Sequence, residues 1–172
     1  SELMSLSDYD SYEFLPPNTI GGGGVQPAIQ ASVSGEVLTC PENCVTKITD
    51  FIYSADNEVL LSQQTLDVDW SYGWGDENPI IAALHDVAND GVGVHLIING
   101  AYLDDDDQEV VDLFNEVWNG TEGLDASAIV MSEDDEVSKL HNKGIIVDGE
   151  SVLVSSINMG SSAMNRNREM GI

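Results

Sequence analysis

Between Leu140 and Ile172 the chain gathers residues suited to attack on a phosphate ester: His141, Lys143, Ser156, Asn158 and Glu169. A phosphodiester is anionic and resists nucleophiles. Cleaving it requires a nucleophile, cations or N–H donors on the nonbridging oxygens, and an acid for the leaving group. His141 is the candidate nucleophile, because an imidazole nitrogen is nucleophilic near neutral pH when a carboxylate fixes the other ring nitrogen. Glu169 is the candidate for that orienting role. In a strand, side chains two residues apart share a face, so His141 and Lys143 could reach one phosphate. Asn158 would donate its amide N–H to a phosphoryl oxygen, with Ser156 as a weaker second donor. With Lys143 and Asn158 doing that work, no metal is expected. Arg166 and Arg168 flank these residues and either steer phosphate or pair with acidic surface.

The charge distribution points to the same end of the chain. The 172 residues carry 31 acidic and five basic side chains, a net charge of −26. Residues 1–138 hold one cation, Lys47, whereas residues 139–172 hold Lys139, Lys143, Arg166 and Arg168 against only Asp148, Glu150 and Glu169. An anion would therefore be met at the C-terminal end. The acidic residues are interspersed with plentiful, periodic Val, Ile and Leu, which argues against a disordered acidic tail. The pattern fits a folded protein with a densely carboxylated surface, as in proteins adapted to multimolar salt, where repulsion is screened within roughly 3 Å. Dilute buffer should destabilise it, and tight nonspecific binding to nucleic acid in low salt is disfavoured because neutralising phosphates takes cations.

The elements that must position these residues follow from hydrophobic period. Residues 1–35 contain Pro16-Pro17 and the run Gly21 to Gly24 without a sustained period, and read as a flexible linker or extension. From residue 36 onward, strands alternate with helices. Strands are expected near 36–40, over 58–66, 92–98 and 126–131, and over 143–148 and 151–155 with a turn at Gly149. Helices are expected over 41–55, over 79–89 with Asn78 as N-cap and Gly91 as stop, and over 108–118 with Val110, Val111, Phe114, Val117 and Trp118 buried. This predicts an α/β fold with a mixed sheet flanked by helices on both faces. The final residues, Glu169 to Ile172, read as the start of another strand, so the domain over 36–172 is expected to be cut short at its C-terminal end. No apolar run is long enough to span a bilayer. The first residues lack the pattern of a secretion signal, but a trimmed chain would have lost it, so export to the outside or the cell surface stays open beside a cytoplasmic location.

Other residues invite chemistry and have plainer readings. Cys40 and Cys44 form a C-x3-C pair without a second pair to complete a zinc site; a short-loop disulfide and two reduced thiols are equally compatible with the spacing. His85 on a helix and His95 in a strand lack partners at metal spacing and suit packing or surface roles. Asp104 to Asp107 lacks a calcium-loop pattern and reads as a solvated acidic loop. Trp70, Tyr72 and Trp74 either contact substrate or tuck over the core.

The spacing His141, one residue, Lys143, four residues, Asp148, six residues, Ser155-Ser156, then Asn158 resembles the HKD signature of the phospholipase D superfamily. It departs in one place, since only Ile157 separates Ser156 from Asn158 where some members have two residues. The resemblance extends over roughly residues 37–172. The segment from Asn78 to Asn99 is similar to the family's helix, glycine turn and strand, and Asn167 to Ile172 is similar to its acidic element, with Glu169 at the carboxylate position. The resemblance implies a phosphodiesterase that works through a phosphohistidine, hydrolytic or transferring to an alcohol, without metal or cofactor, on a phospholipid or a nucleic acid. It implies that Asp148 bonds locally and is structural. It also implies two such motifs facing each other across a twofold axis. This chain holds one, so the partner motif is expected from a second copy or from sequence outside these residues. The competing expectation is an inactive interaction or scaffold domain of a larger salt-adapted protein that inherited the motif.

Overall fold

The computed structural model describes residues 34–70, 77–101, 103–131 and 139–172. The chain divides into Ser1–Glu36 and Val37–Ile172. Of the first unit only residues 34–36 are described, as exposed coil, and the second carries the whole of the fold given below. Its elements are β1 (Leu38–Cys40), α1 (Cys44–Tyr53), β2 (Glu58–Gln63), α2 (Pro79–Asn89), β3 (Gly93–Asn99), α3 (Asp105–Asp112), β4 (Ala126–Met131), β5 (Lys143–Val147), β6 (Ser151–Ser155), α4 (Ser161–Asn165) and β7 (Glu169–Gly171). A π-helical segment, Leu113–Trp118, continues α3. No helix among the described residues is long and apolar enough to cross a membrane.

The strands form one mixed sheet in the order β1-β7-β6-β5-β2-β3-β4. β2, β3 and β4 run parallel, as helix-connected strands must. β5 enters antiparallel beside β2, and β6 and β7 follow by antiparallel pairing. The sequence-based expectation of an α/β fold with a mixed sheet and helices agrees with this architecture. Alternate positions along the strands, among them Val59 and Leu61 of β2, Val94 and Leu96 of β3 and Ile145 of β5, are buried with Ile48 and Ile52 of α1 and Ile80 and Leu84 of α2. At the intervening positions Ile97, Ile129, Ile146, Val152, Val154 and Met170 are exposed, so the two faces of the sheet are unequally covered among the described residues.

The helix ends follow local chemistry. Asn78 caps α2 by accepting from the Ile80 N–H at 2.9 Å, and Pro79 supplies a first-turn residue with no N–H to satisfy. The buried Asn78 amide also donates to Asp67 O (2.6 Å) and Met159 O (3.0 Å), tying the loop after β2 to the segment after β6. The acidic run expected as a solvated loop is instead the start of α3. Asp104 caps it by accepting from the Asp107 N–H at 2.9 Å, and Asp105, Asp106 and Asp107 fill the first turn, where the positive end of the helix dipole favours carboxylates. The expected burial of Val117 also fails. Val117 is 56 % exposed while Trp118 is 4 % exposed. The wider π turn adds a residue per cycle and rotates the following positions out of the 3.6-residue phase.

Cys40 and Cys44 are joined in a disulfide that ties the end of β1 to the start of α1. His85 stacks on Trp118 with ring centroids 5.3 Å apart, and His95 bonds Ser127 Oγ at 2.9 Å, both packing roles. The edge strand β4 is closed by Asn115, whose side chain donates to Ala128 O (2.9 Å) and accepts from Ala128 N (2.8 Å).

Candidate active site

The candidate residues meet the sheet at one end, where β2 and β3 finish, β5 begins, β6 finishes and β7 begins. In an open α/β sheet, a crevice at the carboxyl ends of the parallel strands is the usual place for a ligand. The segment before β5 is held there at three points. The Leu140 N–H donates to Oδ1 of buried Asn99 at the end of β3 (2.9 Å). Asn142 Nδ2 donates to Ser62 Oγ of β2 (2.6 Å), and Lys143 Nζ donates to Gln64 Oε1 (2.7 Å) and to the main-chain oxygen of His141 (2.8 Å).

Lys143 is 5 % exposed, an unusual place for an ammonium. Burial pushes its pKa down and Lys139 adds to that, while the Glu169 carboxylate opposes it. His141 is exposed, and the neighbouring Lys143 charge, followed by desolvation and Lys139, holds its pKa below the ordinary value. Neutral imidazole, the form that can attack, is thereby favoured. β5 starts at Lys143, so strand parity does not orient His141; the segment's anchors to β2 and β3 do.

Strand register brings the remaining residues close. Lys143 pairs with Ser155, and Ser155 pairs with Gly171, two residues beyond Glu169 on the same face of β7. The Glu169 carboxylate accepts from Ser156 Oγ through one oxygen and from Asn167 Nδ2 (3.4 Å) through the other. No hydrogen bond joins Glu169 to His141 among the described contacts; the charge of Glu169 acts on Lys143.

Asn158 lies further along, after β6. Its Oδ1 is buried without a partner among the described residues, and the residue lines a polar cleft of about 580 Å³. Thr65, Asp67, Asp69, Trp70, Asp106 and Glu109 form much of the other wall. Trp70 therefore shares a cleft with Asn158, and its indole Nε1 is also buried and without a partner among the described residues. Tyr72 and Trp74 lie outside the described residues.

Three candidates are placed elsewhere. Asp148 stands at the opposite end of β5, in the turn before β6, with φ 54° followed by Gly149 at φ 67°, a pair of left-handed residues that suits a tight hairpin. Its carboxylate accepts the N–H groups of Asp56 (2.9 Å), Asn57 (2.8 Å) and Glu58 (2.9 Å), which hold its pKa below the usual value and tie the hairpin to the start of β2. Arg168 forms an ion pair with Glu42, and Arg166 is exposed at the end of α4. Among the described residues no group of three His, Cys, Asp or Glu side chains is arranged to hold a metal.

Reading the sequence misses Ser62, Gln64 and Asn99. Each is a polar residue at or just past the carboxyl end of an apolar strand, and that placement was the available signal.

Comparison with known proteins bears on the fold and the family. Residues 48–172 match the family model described as cardiolipin synthase, PLD-like domain. No curated protein matches the sequence. Among solved structures, NucT from Helicobacter pylori is similar at 15 % identity and TM-score 0.59, covering 79 % of this chain and 81 % of its own. A phospholipase D family member, Nuc from Salmonella typhimurium, is similar at 19 % identity and TM-score 0.60, covering 79 % of this chain and 78 % of its own. The fold is shared with both, and with the family match spanning most of its length the chain belongs to the phospholipase D superfamily of phosphodiesterases, as a PLD-like domain.

Proposed function

We propose that this chain supplies one half of a metal-independent phosphodiesterase site in which His141 attacks phosphorus. The observation that carries the proposal is the buried Lys143 ammonium, fixed beside His141 by Gln64 and the His141 carbonyl, with its third N–H unengaged among the described residues. In the first step a ring nitrogen of His141 bonds to phosphorus and the P–O bond to the leaving alcohol breaks, giving a phosphohistidine. Lys143 and the Asn158 amide hold the nonbridging oxygens, where charge accumulates in the transition state. Ser156 and Glu169 complete the polar lining, with Glu169 keeping Ser156 in place and balancing the Lys143 charge.

The leaving alkoxide needs a proton that His141, now bonded to phosphorus, cannot supply. A second histidine does so, from another copy of the chain or from sequence outside these residues, and then takes a proton from the water or alcohol that attacks the intermediate. The substrate is a phosphodiester of the phospholipid or nucleic-acid class. The net charge of −26 weighs against a polyanion in dilute salt and much less in concentrated salt, where screening is short-ranged, the setting this acidic surface suits.

The test is hydrolysis of bis(p-nitrophenyl) phosphate in molar KCl with EDTA, measured over a range of protein concentrations. Turnover that survives the chelator and disappears in His141→Ala is expected, rising more than linearly with concentration if two copies share the site. Chelator-sensitive turnover, or turnover indifferent to the substitution, overturns the mechanism; inactivity of the wild-type chain at every concentration, in a monomer, favours an interaction domain that inherited the motif.

A further inference from the structure

We infer that Gln64 is a positioning residue for the phosphate-binding lysine: with the main-chain oxygen of His141 it fixes the Lys143 ammonium so that the third N–H points to the substrate. The inference rests on the phosphodiesterase reading above and assigns a role to a residue outside the motif.

An alkylammonium carries three N–H donors and rotates freely about its last carbon–nitrogen bond. Two of the donors of Lys143 are engaged, one by Gln64 Oε1 at 2.7 Å and one by His141 O at 2.8 Å. With two acceptors in place the rotor is locked, and the third hydrogen has one direction. A phosphoryl oxygen arriving there completes the tetrahedral set without displacing either partner.

The chemistry of an amide at position 64 matters. Gln64 presents a neutral acceptor, so the ammonium keeps its full charge for the phosphate. A carboxylate in its place would form an ion pair and compete with the anion, and an aliphatic side chain would leave an N–H without a partner at a position only 5 % exposed. Among the described residues, the charged or titratable groups facing Lys143 are His141, Lys139 and Glu169. Of these only Glu169 is an anion, and one of its oxygens is engaged by Ser156.

The position of Gln64 is itself coupled to the nucleophile. Ser62, two residues earlier, accepts from Asn142, so one short stretch at the end of β2 grips both residues that follow His141. A shift at the end of β2 would therefore move the lysine and the histidine together, which suits groups that must address one phosphorus atom.

The experiment uses the full chain with Gln64→Ala and Gln64→Glu, the second being nearly isosteric and able to fold if the first is not. The reactivity of each lysine toward acetic anhydride is followed against pH by mass spectrometry, with Lys47 as internal reference, and hydrolysis of bis(p-nitrophenyl) phosphate is measured beside it. In Gln64→Glu the labelling midpoint of Lys143 should rise by about one pH unit as the ion pair forms, and in Gln64→Ala it should fall. KM should rise about tenfold in each, the size of one lost oriented hydrogen bond, with kcat changing less. A Lys143 midpoint that stays put in Gln64→Glu while that variant melts like the wild type overturns the inference, as does an unchanged KM. Shifted midpoints in a protein whose wild type hydrolyses no phosphodiester would support the Gln64 contact and sink the hydrolytic reading alone.

Discussion

Asp107 should make the stability of this domain fall as pH rises, and the size of the effect can be worked out. The residue is 1 % exposed, one carboxylate oxygen accepts from the Leu66 N–H at 3.1 Å, and the other has no partner among the described residues. Desolvation is the main cause that raises its pKa from 3.8 to about 6, with the carboxylates of Asp104 and Asp67 adding repulsion and the Leu66 N–H opposing. A carboxyl group whose folded value is raised binds its proton more tightly in the native state. Its stabilising contribution is complete below the unfolded value near 3.8, declines as pH climbs toward about 6, and is gone above that. The difference between the two values corresponds to about 3 kcal/mol, of which roughly 2 kcal/mol falls between pH 4 and pH 7. Asp107→Asn removes this titration while keeping an oxygen for Leu66. Its amide N–H₂ brings a separate cost that does not depend on pH. The expected result is that the variant gains on the wild type by roughly 2 kcal/mol between pH 4 and pH 7, or roughly 5–10 °C in Tm for a domain of this size. Urea or thermal unfolding at both pH values in molar KCl, which damps the remaining carboxylate repulsion, measures it. Wild-type and variant stabilities that run parallel across this range would refute the reasoning.

Two further outcomes follow from the same electrostatics. Asp148→Asn should lower Tm at neutral pH, because the carboxylate accepts three backbone N–H groups; since these bonds depress its pKa, the gap to wild type should close as pH is taken down through 3.8 and below, and thermal melts across that range test it. Because Asp148 sits at the far end of β5 from Lys143, the same variant should keep its kcat. The net charge of −26 should make Tm climb with KCl from about 0.1 M into the molar range, as the screening length drops from about 10 Å to about 3 Å; a melting temperature insensitive to KCl would remove the case for a salt-adapted surface.

The parts of this molecule that could be read from sequence are those whose determinants are neighbours in the chain. The spacing from His141 to Asn158 is local, so it points to a phosphodiesterase before any fold is known. α2 is equally plain, because Asn78, Pro79 and Gly91 punctuate it and its apolar residues keep a helical period. The start of α3 was hidden by its own chemistry. Four consecutive Asp residues look solvated, yet one caps the helix, two decorate its first turn and Asp107 is folded under the chain. Burial of a carboxylate depends on what the rest of the fold stacks above it, and no local pattern carries that. The Cys40–Cys44 disulfide was undecidable for a related reason, since C-x3-C spacing is compatible with bonded and free thiols.

The supporting residues of the candidate site were illegible because they depend on which strands become neighbours. Ser62, Gln64 and Asn99 matter only because β5 inserts antiparallel against β2, with β3 on the other side, and this order joins residues some 40 to 80 positions apart. Seen along the chain, a Gln after an apolar strand is an ordinary strand end. Seen in the sheet, it is the acceptor that lets a nearly buried lysine remain hydrogen-bonded while keeping its charge. This also explains why the motif alone underdetermines the site. His141 and Lys143 are two residues apart, but β5 begins only at Lys143, so their relation is set by anchors on β2 and β3 and not by the strand's own alternation. In the proposed mechanism, a chain that preserved the motif while losing Gln64 or Asn99 would still match the signature, with its lysine and histidine no longer held to one phosphorus atom.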